Sequence, residues 1–78
     1  MALSDIPVGS SAIVVSLELA GEVGSHLMHL GFLPEAAIAV LRRAPAGDPT
    51  VYRIEGAEIA LRRETAQHIR VHSAQVPA

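Results

Sequence analysis

Hydrophobic and polar residues alternate along most of the chain, and this alternation predicts a protein built mainly of short β-strands. Residues 11–19 are rich in β-branched side chains, with Ile13, Val15 and Leu17 in period two, which predicts the first strand. Residues 37–43, 51–55 and 58–63 alternate in the same way, with a tight hairpin expected at Glu55-Gly56. Residues 68–71 predict a last strand, preceded by one helical turn at 63–67.

The period changes between the first two predicted strands, where the chain reads SHLMHLGFLPE over residues 25–35. The apolar residues of this region have helical spacing: Val23, Leu27 and Leu30. Gly31 is able to adopt positive φ after the last turn, and Phe32 stands where a helix-ending motif places a hydrophobic contact. Pro34 then prevents the helix from resuming. A short helix that ends at Gly31 is therefore expected.

This order of elements predicts an all-β fold with one short helix. A sheet of about five short strands exposes long edges unless it curls and closes, so a small five-stranded β-barrel is the expected architecture. The chain has 78 residues, which is enough for one domain. We expect that domain to span residues 1–73 and residues 74–78 to form a frayed C-terminal tail.

The composition predicts more apolar surface than so small a core can bury. Half of the residues are hydrophobic, 50%, whereas a domain of this size buries only about 60% of its unfolded surface. The excess indicates a surface for a partner or for self-association, a homodimer being one possibility. Met28, Phe32 and Leu33, around the predicted helix end, are the candidates for this surface; singly scattered apolar residues are the alternative.

Charge and aromatic content exclude several functional classes. The net charge is −2, every basic residue is an arginine, and the chain has one tyrosine, one phenylalanine and no tryptophan. It therefore lacks the basic field and stacking platforms of nucleic-acid-binding proteins. Ser4, Asp5 and Pro7 interrupt any signal-peptide core, and no apolar run approaches the ~20 residues that span a bilayer. A cytoplasmic protein without direct membrane insertion is expected.

The four histidines are the candidate metal ligands, since the chain has no cysteine. His26 and His29 are one helical turn apart, with Glu22 or Glu35 near enough in sequence to add oxygen. His68 and His72 are further candidates on the last strand. Zinc normally takes three or four protein ligands, so the pattern favours at most a surface-bound zinc or other divalent transition metal, with no obligatory cofactor. Solvated surface histidines are the alternative.

The remaining candidate residues point to binding rather than to catalysis. No serine lies in a nucleophile-elbow or phosphate-loop pattern, so an enzyme is not expected. Arg43 ends one predicted strand, Pro45 lies in a turn-rich loop at 44–49, and Tyr52 lies on the next strand. These three are candidate partner contacts; solvated strand-end charge, ordinary turn chemistry and a core position for Tyr52 are the alternatives.

Several segments taken together carry a family resemblance. They are Leu3-Ser4-Asp5-Ile6-Pro7 with Gly9, Leu27-x-x-Leu30-Gly31-Phe32-x-Pro34, Arg43-Ala44-Pro45-x-Gly47-Asp48-Pro49, Gly56-x-x-Ile59-Ala60-Leu61-Arg62, and Ala66-x-x-Ile69-x-Val71. In this order and spacing they resemble the ferrous iron transport protein A (FeoA) family. Two departures stand out: Glu35 replaces the usual glycine after the proline, and Gly24-Ser25-His26 replaces a commonly basic stretch.

The resemblance implies an SH3-like barrel, similar to the C-terminal domain of metal-dependent repressors of the DtxR type. It also implies a non-enzymatic accessory protein of the ferrous iron uptake (Feo) system, whose partner is the cytoplasmic part of the FeoB membrane transporter. The alternative is a metal-responsive module whose surface histidines bind a divalent metal and promote oligomerisation.

Overall fold

The structure is a computed structural model that describes residues 1–74. After a 3-10 turn at Leu3–Asp5, its elements are β1 (Ser11–Leu17), α1 (Gly21–His29), β2 (Ala37–Arg43), β3 (Thr50–Ile54), β4 (Ala57–Leu61), α2 (Arg63–Ala66) and β5 (Ile69–Ser73). The predicted all-β fold of five strands with one short helix between the first two is confirmed. The single helical turn expected after β4 is α2.

The strands form one antiparallel sheet in the order β4-β3-β2-β1-β5. Register shifts in β1, between Val14 and Ser16, and in β2, between Val40 and Arg42, bend the two central strands. Such bulges increase local twist and let a small sheet curl around its core. Within residues 1–74 the edge strands β4 and β5 are not paired with each other, so the sheet is barrel-like without being closed by a hydrogen-bonded seam.

The core lies inside this curled sheet and takes its side chains from every strand. Its largest fully buried members are Tyr52, Phe32, Leu3, Ile38, Ile54, Ile69, Val14 and Val40. In β1 the buried residues are Ala12 and Val14, whereas Val15 is 50% exposed. The period-two set that predicted this strand therefore does not mark its buried face, because Ala12 and Val14, the inward positions before the bulge, are one residue out of step with that set.

Helix α1 ends as its sequence predicts. The N–H of Phe32 donates to the carbonyl of Leu27 (3.0 Å), and the N–H of Gly31 donates to that of Met28 (3.1 Å). With Gly31 at φ 112°, this is a Schellman motif with a buried contact between Phe32 and the last turn. The apolar face predicted from Val23, Leu27 and Leu30 is only partly correct, since Leu27 is buried while Val23 is 52% exposed.

Two glutamates occupy left-handed backbone positions. Glu35, which stands where the FeoA resemblance has glycine, has φ 74°, and its N–H donates to the carbonyl of Val14 (2.7 Å). The chain thus retains the glycine-type turn with a side chain present. The predicted hairpin at Glu55-Gly56 joins β3 to β4 with φ 50° and 79°, the two positive φ values of a type I′ turn.

The C-terminal end of the described chain is bound to the sheet. The N–H of Ala74 donates to the carbonyl of Ser11 (3.1 Å), and the N–H of Val71 donates to that of Met1 (2.8 Å). Of the tail predicted over 74–78, Ala74 thus continues the pairing with β1, and residues 75–78 lie outside the described residues.

Candidate partner-binding surface

The C-terminal end of α1 exposes apolar side chains beside a rigid turn. Met28 is 48% exposed and Leu33 is 46% exposed. Backbone hydrogen bonds from Gly31 to Met28 and from Leu33 to Gly31 (2.7 Å) link these residues. We call Met28 and Leu33 the helix-end surface. Its backbone is held by the Schellman motif, so little conformational entropy would be lost when a partner covers it.

The structure corrects two of the predicted partner contacts. Phe32 is fully buried at 0% exposure and Tyr52 is 1% exposed. Phe32 turns inward because the helix-ending motif directs it onto the core. Tyr52 shares the buried face of β3 with Thr50 and Ile54. The prediction that these two rings meet a partner is therefore wrong for this conformation.

The remaining candidates do not form one patch. The helix end lies against the β3–β4 hairpin, since a Cβ built on Gly31 would meet Glu55 Cγ at 2.8 Å. Arg43 pairs with Thr50 at the opposite end of β3, where the loop carrying the exposed Pro45 connects the strands. The two ends of β3, Thr50 and Ile54, are four residue steps apart along the strand, about 13 Å. The structure thus presents two separate regions: the apolar helix-end surface, and a polar region around Arg43 and the β2–β3 loop.

The polar region contains a small pocket. Its lining residues are Ser4, Arg43, Gly47, Thr50, Tyr52 and Arg63. The Nε–H of Arg43 donates to Thr50 Oγ1 (2.8 Å), and the backbone N–H of Arg63 donates to Asp48 Oδ1 (2.9 Å). These contacts bring the β2–β3 loop and the start of α2 together, so residues distant in sequence line one cavity.

Burial raises the pKa of the Tyr52 hydroxyl above its ordinary value. The hydrogen bond to Thr50 and the charge of Arg43 oppose this shift, and the charge of Asp48 adds to it. Desolvation is the largest of these effects, because a tyrosinate inside the core would lose its hydration. Tyr52 is therefore a neutral phenol at physiological pH, with a hydroxyl able to donate.

Two other arginines, Arg42 and Arg53, lie on the surface and share one partner, Glu58. Arg42 Nη2 lies 2.8 Å from Glu58 Oε1, and Arg53 lies 3.8 Å from the other oxygen of Glu58. The hydrogen bond from Arg42, then its charge, lowers the pKa of Glu58. All three side chains are solvent-exposed, so the cluster is worth little to stability, and Arg42 is already paired whereas Arg43 faces the pocket.

The histidines are all exposed, and the structure places them in three locations. His26 and His29 lie on the last turns of α1, His72 lies on β5, and His68 lies in the turn before β5 rather than on the strand. Among residues 1–74 no group of three or more histidine, aspartate or glutamate side chains could hold a metal ion. Neither Glu22 nor Glu35 completes a site with the pair on α1.

Sequence reasoning missed Ser4, Thr50 and Arg63 as members of the polar region. A signal for Thr50 was available, because it is two residues before Tyr52 and a strand places alternate residues on one face. Ser4 and Arg63 come from opposite ends of the chain, and only the packing of the first turn near α2 brings them to Arg43.

Within the described residues, no helix is long and apolar enough to cross a membrane.

Comparison with known proteins identifies the family. The model of the FeoA domain matches residues 1–73. A curated relative, the Fe(2+) transport protein A/Fe(2+) transporter FeoB fusion protein of Porphyromonas gingivalis, is 37% identical over 71 residues; these cover 91% of this chain and 8% of that protein. The chain thus corresponds to a small part of that much longer relative.

Solved structures agree in fold. The solution structure of FeoA from Chlorobium tepidum has a TM-score of 0.91 at 37% identity, covering 96% of this chain and 71% of that one. The crystal structure of Stenotrophomonas maltophilia FeoA complexed with zinc, described as an SH3 domain protein, has a TM-score of 0.79 at 28% identity, covering 91% and 88%. The fold is therefore the SH3-like small barrel that the family resemblance implied. The chain belongs to the FeoA domain family, which is associated with ferrous iron transport.

Proposed function

We propose that this protein is a non-enzymatic accessory module of ferrous iron uptake that docks on the cytoplasmic part of a FeoB-type transporter. The observation that carries the proposal is the fusion relative, in which a matching FeoA segment and a FeoB transporter share one polypeptide. Fusion holds two domains at high effective concentration, which is useful when the separate domains associate. The proposed location is the cytoplasmic side of the membrane.

The helix-end surface is the proposed docking site. Full burial of a fully exposed methionine or leucine side chain contributes about 1.5–3 kcal/mol, and each side chain of this surface, being about half exposed, would contribute about half of that. They stand on a backbone that the Schellman motif already orders. Docking alters transport only through a difference in affinity for two states of the transporter. An activating role therefore requires tighter binding to one nucleotide state of its G domain.

A binding assay with matched variants tests this proposal. The partner is the cytoplasmic G domain of the cognate transporter, without nucleotide, with GDP and with a non-hydrolysable GTP analogue. We expect association in at least one state, weakened about tenfold or more by Met28→Ser with Leu33→Ser. The control is Val8→Ser, since Val8 is 47% exposed and lies outside α1 and its terminal turn. Absence of association in all three states would refute the proposal.

Self-association through the helix-end surface is the competing outcome of the same experiment. Sedimentation equilibrium of the isolated protein separates the two. A monomer that binds the G domain supports transporter docking, and a dimer abolished by Met28→Ser and Leu33→Ser supports a homodimer instead.

A second candidate function is a metal-responsive module, favoured by the zinc-bound FeoA structure from Stenotrophomonas maltophilia. In this chain His26 and His29 are exposed one helical turn apart, within reach of a single ion. Because residues 1–74 supply no third ligand to this pair, tight binding would need a second copy of the chain. Calorimetric titration with zinc tests this second function. Submicromolar binding coupled to dimerisation, which is lost in the His26→Ala, His29→Ala double variant and retained in His72→Ala, would support it. Weak binding without dimerisation would refute it.

A further inference from the structure

The pocket at the loop end of β3 is small and polar. Its volume is about 10 Å³, which is about one water-sized sphere. A group the size of a single oxygen atom fits inside, with the rest of its ligand outside the mouth. The lining comes from four separate parts of the chain: the first turn, the end of β2 with the loop that follows, β3, and the start of α2.

The charge lining this pocket is positive and is not neutralised by ion pairs. Arg43 and Arg63 are both lining residues, and neither forms a salt bridge with another side chain of residues 1–74. The carboxylate of nearby Asp48 accepts the backbone N–H of Arg63. Its single negative charge does not balance the two positive charges of the arginines. In a chain with a net charge of −2, this is a local site of opposite sign.

The polar groups of the pocket are held in place before any ligand arrives. Thr50 is 5% exposed and Tyr52 is 1% exposed, so both hydroxyls sit on the rigid core face of β3. Thr50 accepts the Nε–H of Arg43 (2.8 Å), which orients the guanidinium, and the threonine hydroxyl is itself hydrogen-bonded to Tyr52. Tyr52 remains protonated because burial raises its pKa, so its hydroxyl is a further donor.

We infer that this pocket binds an oxyanion group, a carboxylate or a phosphate, between Arg43 and Arg63. The planar guanidinium fork matches both groups in bidentate geometry. The hydroxyls of Tyr52 and Ser4 supply neutral donors around the oxygen that enters. The pocket can bind either the free anion or the same group carried by a larger ligand, because only one oxygen has to enter it.

The test is an NMR titration of the isolated protein with sodium phosphate and, in a second arm, with sodium acetate, each against sodium chloride at equal ionic strength. We expect saturable shifts at the amides of Gly47 and Thr50 with at least one oxyanion, and none with chloride. Arg63→Gln and Arg43→Gln should each weaken binding about tenfold or more, since hydrogen bonds to charged groups are lost. Arg62→Gln is the matched control, because Arg62 is exposed and is not a lining residue.

The tyrosine gives an independent readout. A bound anion beside the hydroxyl disfavours tyrosinate, so saturating oxyanion should raise the pKa of Tyr52 further in the unmodified protein and not in Arg63→Gln. Linear shifts that match chloride, or an Arg62→Gln variant that loses as much affinity as Arg63→Gln, would overturn the inference. The measurement needs no transporter, so its result is separate from the docking proposal.

Discussion

Gly24, in the first half of α1, lies directly against the backbone carbonyl of Leu19 in the segment that joins β1 to the helix. A Cβ built on Gly24 would approach Leu19 O more closely than real Cβ atoms come to any neighbour. This contact accounts for the burial of Gly24, whereas Val23 beside it is exposed. The glycine thus serves a close approach within a helix, where its intrinsic propensity is poor.

Gly24→Ala should therefore lower the free energy of unfolding by about 1–3 kcal/mol, the usual cost of overpacking. In an unobstructed helix the same change would raise it by about 1 kcal/mol. Chemical denaturation measures the difference. Ser25→Ala is the control, because Ser25 is exposed on the same helix and should stabilise slightly. A Gly24→Ala variant as stable as the unmodified protein would contradict the contact.

Glu35→Gly should stabilise the protein. At φ 74° a residue with a Cβ is strained by about 1–2 kcal/mol. Glycine avoids this strain, but ordering its more flexible backbone on folding costs about 0.5–1 kcal/mol more. The net gain expected in denaturation is about 0.5–1 kcal/mol. Glu35→Gln removes the charge without relieving the backbone and should leave stability unchanged; a gain from Glu35→Gln instead would assign the effect to charge.

Gly31→Ala should destabilise the protein for two separable reasons. The residue has φ 112°, and a Cβ there would meet Glu55 Cγ at 2.8 Å. Glu55→Ala removes that atom, so the double variant should recover about 0.5–1 kcal/mol of the loss, as expected for side chains in contact. The backbone strain remains in the double variant. Strictly additive single and double variants in a double-mutant cycle would show that the helix end does not touch the hairpin.

The titration of Tyr52 should occur above its ordinary pKa of 10.0, since burial raises it. The unfolded chain releases this proton at about pH 10, so the stability present below that pH is lost as pH rises towards the folded pKa. Tyrosinate absorbance reports this residue alone, because the chain has one tyrosine and no tryptophan.

The chain suits this measurement because it has no lysine to titrate in the same range. Thr50→Val should raise the pKa of Tyr52 further, since the hydrogen bond from Thr50 lowers it. Tyr52→Phe should remove the loss of stability above pH 10. A folded-state pKa at or below that of the denatured chain would show that the hydroxyl is hydrated.

Local patterns predicted the elements that depend on neighbouring residues. Gly31, Phe32 and Pro34 end α1 as expected because a helix terminus is set by φ freedom and hydrogen bonds within a few residues. The positive φ values of Glu55 and Gly56 follow equally from the hairpin sequence. Alternation also placed Ile38 and Val40 together on one face of β2, and both are buried.

Predictions about which face is buried failed where long-range pairing intervenes. Val15 is exposed because β1 turns Ala12 and Val14 inward, and that choice of face is set by its pairing with β2 and with β5, the latter more than fifty residues away. Val23 is exposed, whereas the next residue, Gly24, is buried against Leu19 in the segment before the helix. Phe32 and Tyr52 were candidates for the surface, but the curled sheet is small and needs its two largest aromatic rings for the core.

The number and order of the strands, the end of the helix, the hairpin turn and the family could all be predicted from residue patterns, since each depends on local backbone preferences or on motifs in register. The three-dimensional fold was needed to place the apolar helix end and the arginine pocket at opposite ends of β3, and to bring Ser4, Arg43 and Arg63 to one cavity. Side chains distant in sequence meet only through sheet register and twist, and no local pattern encodes either.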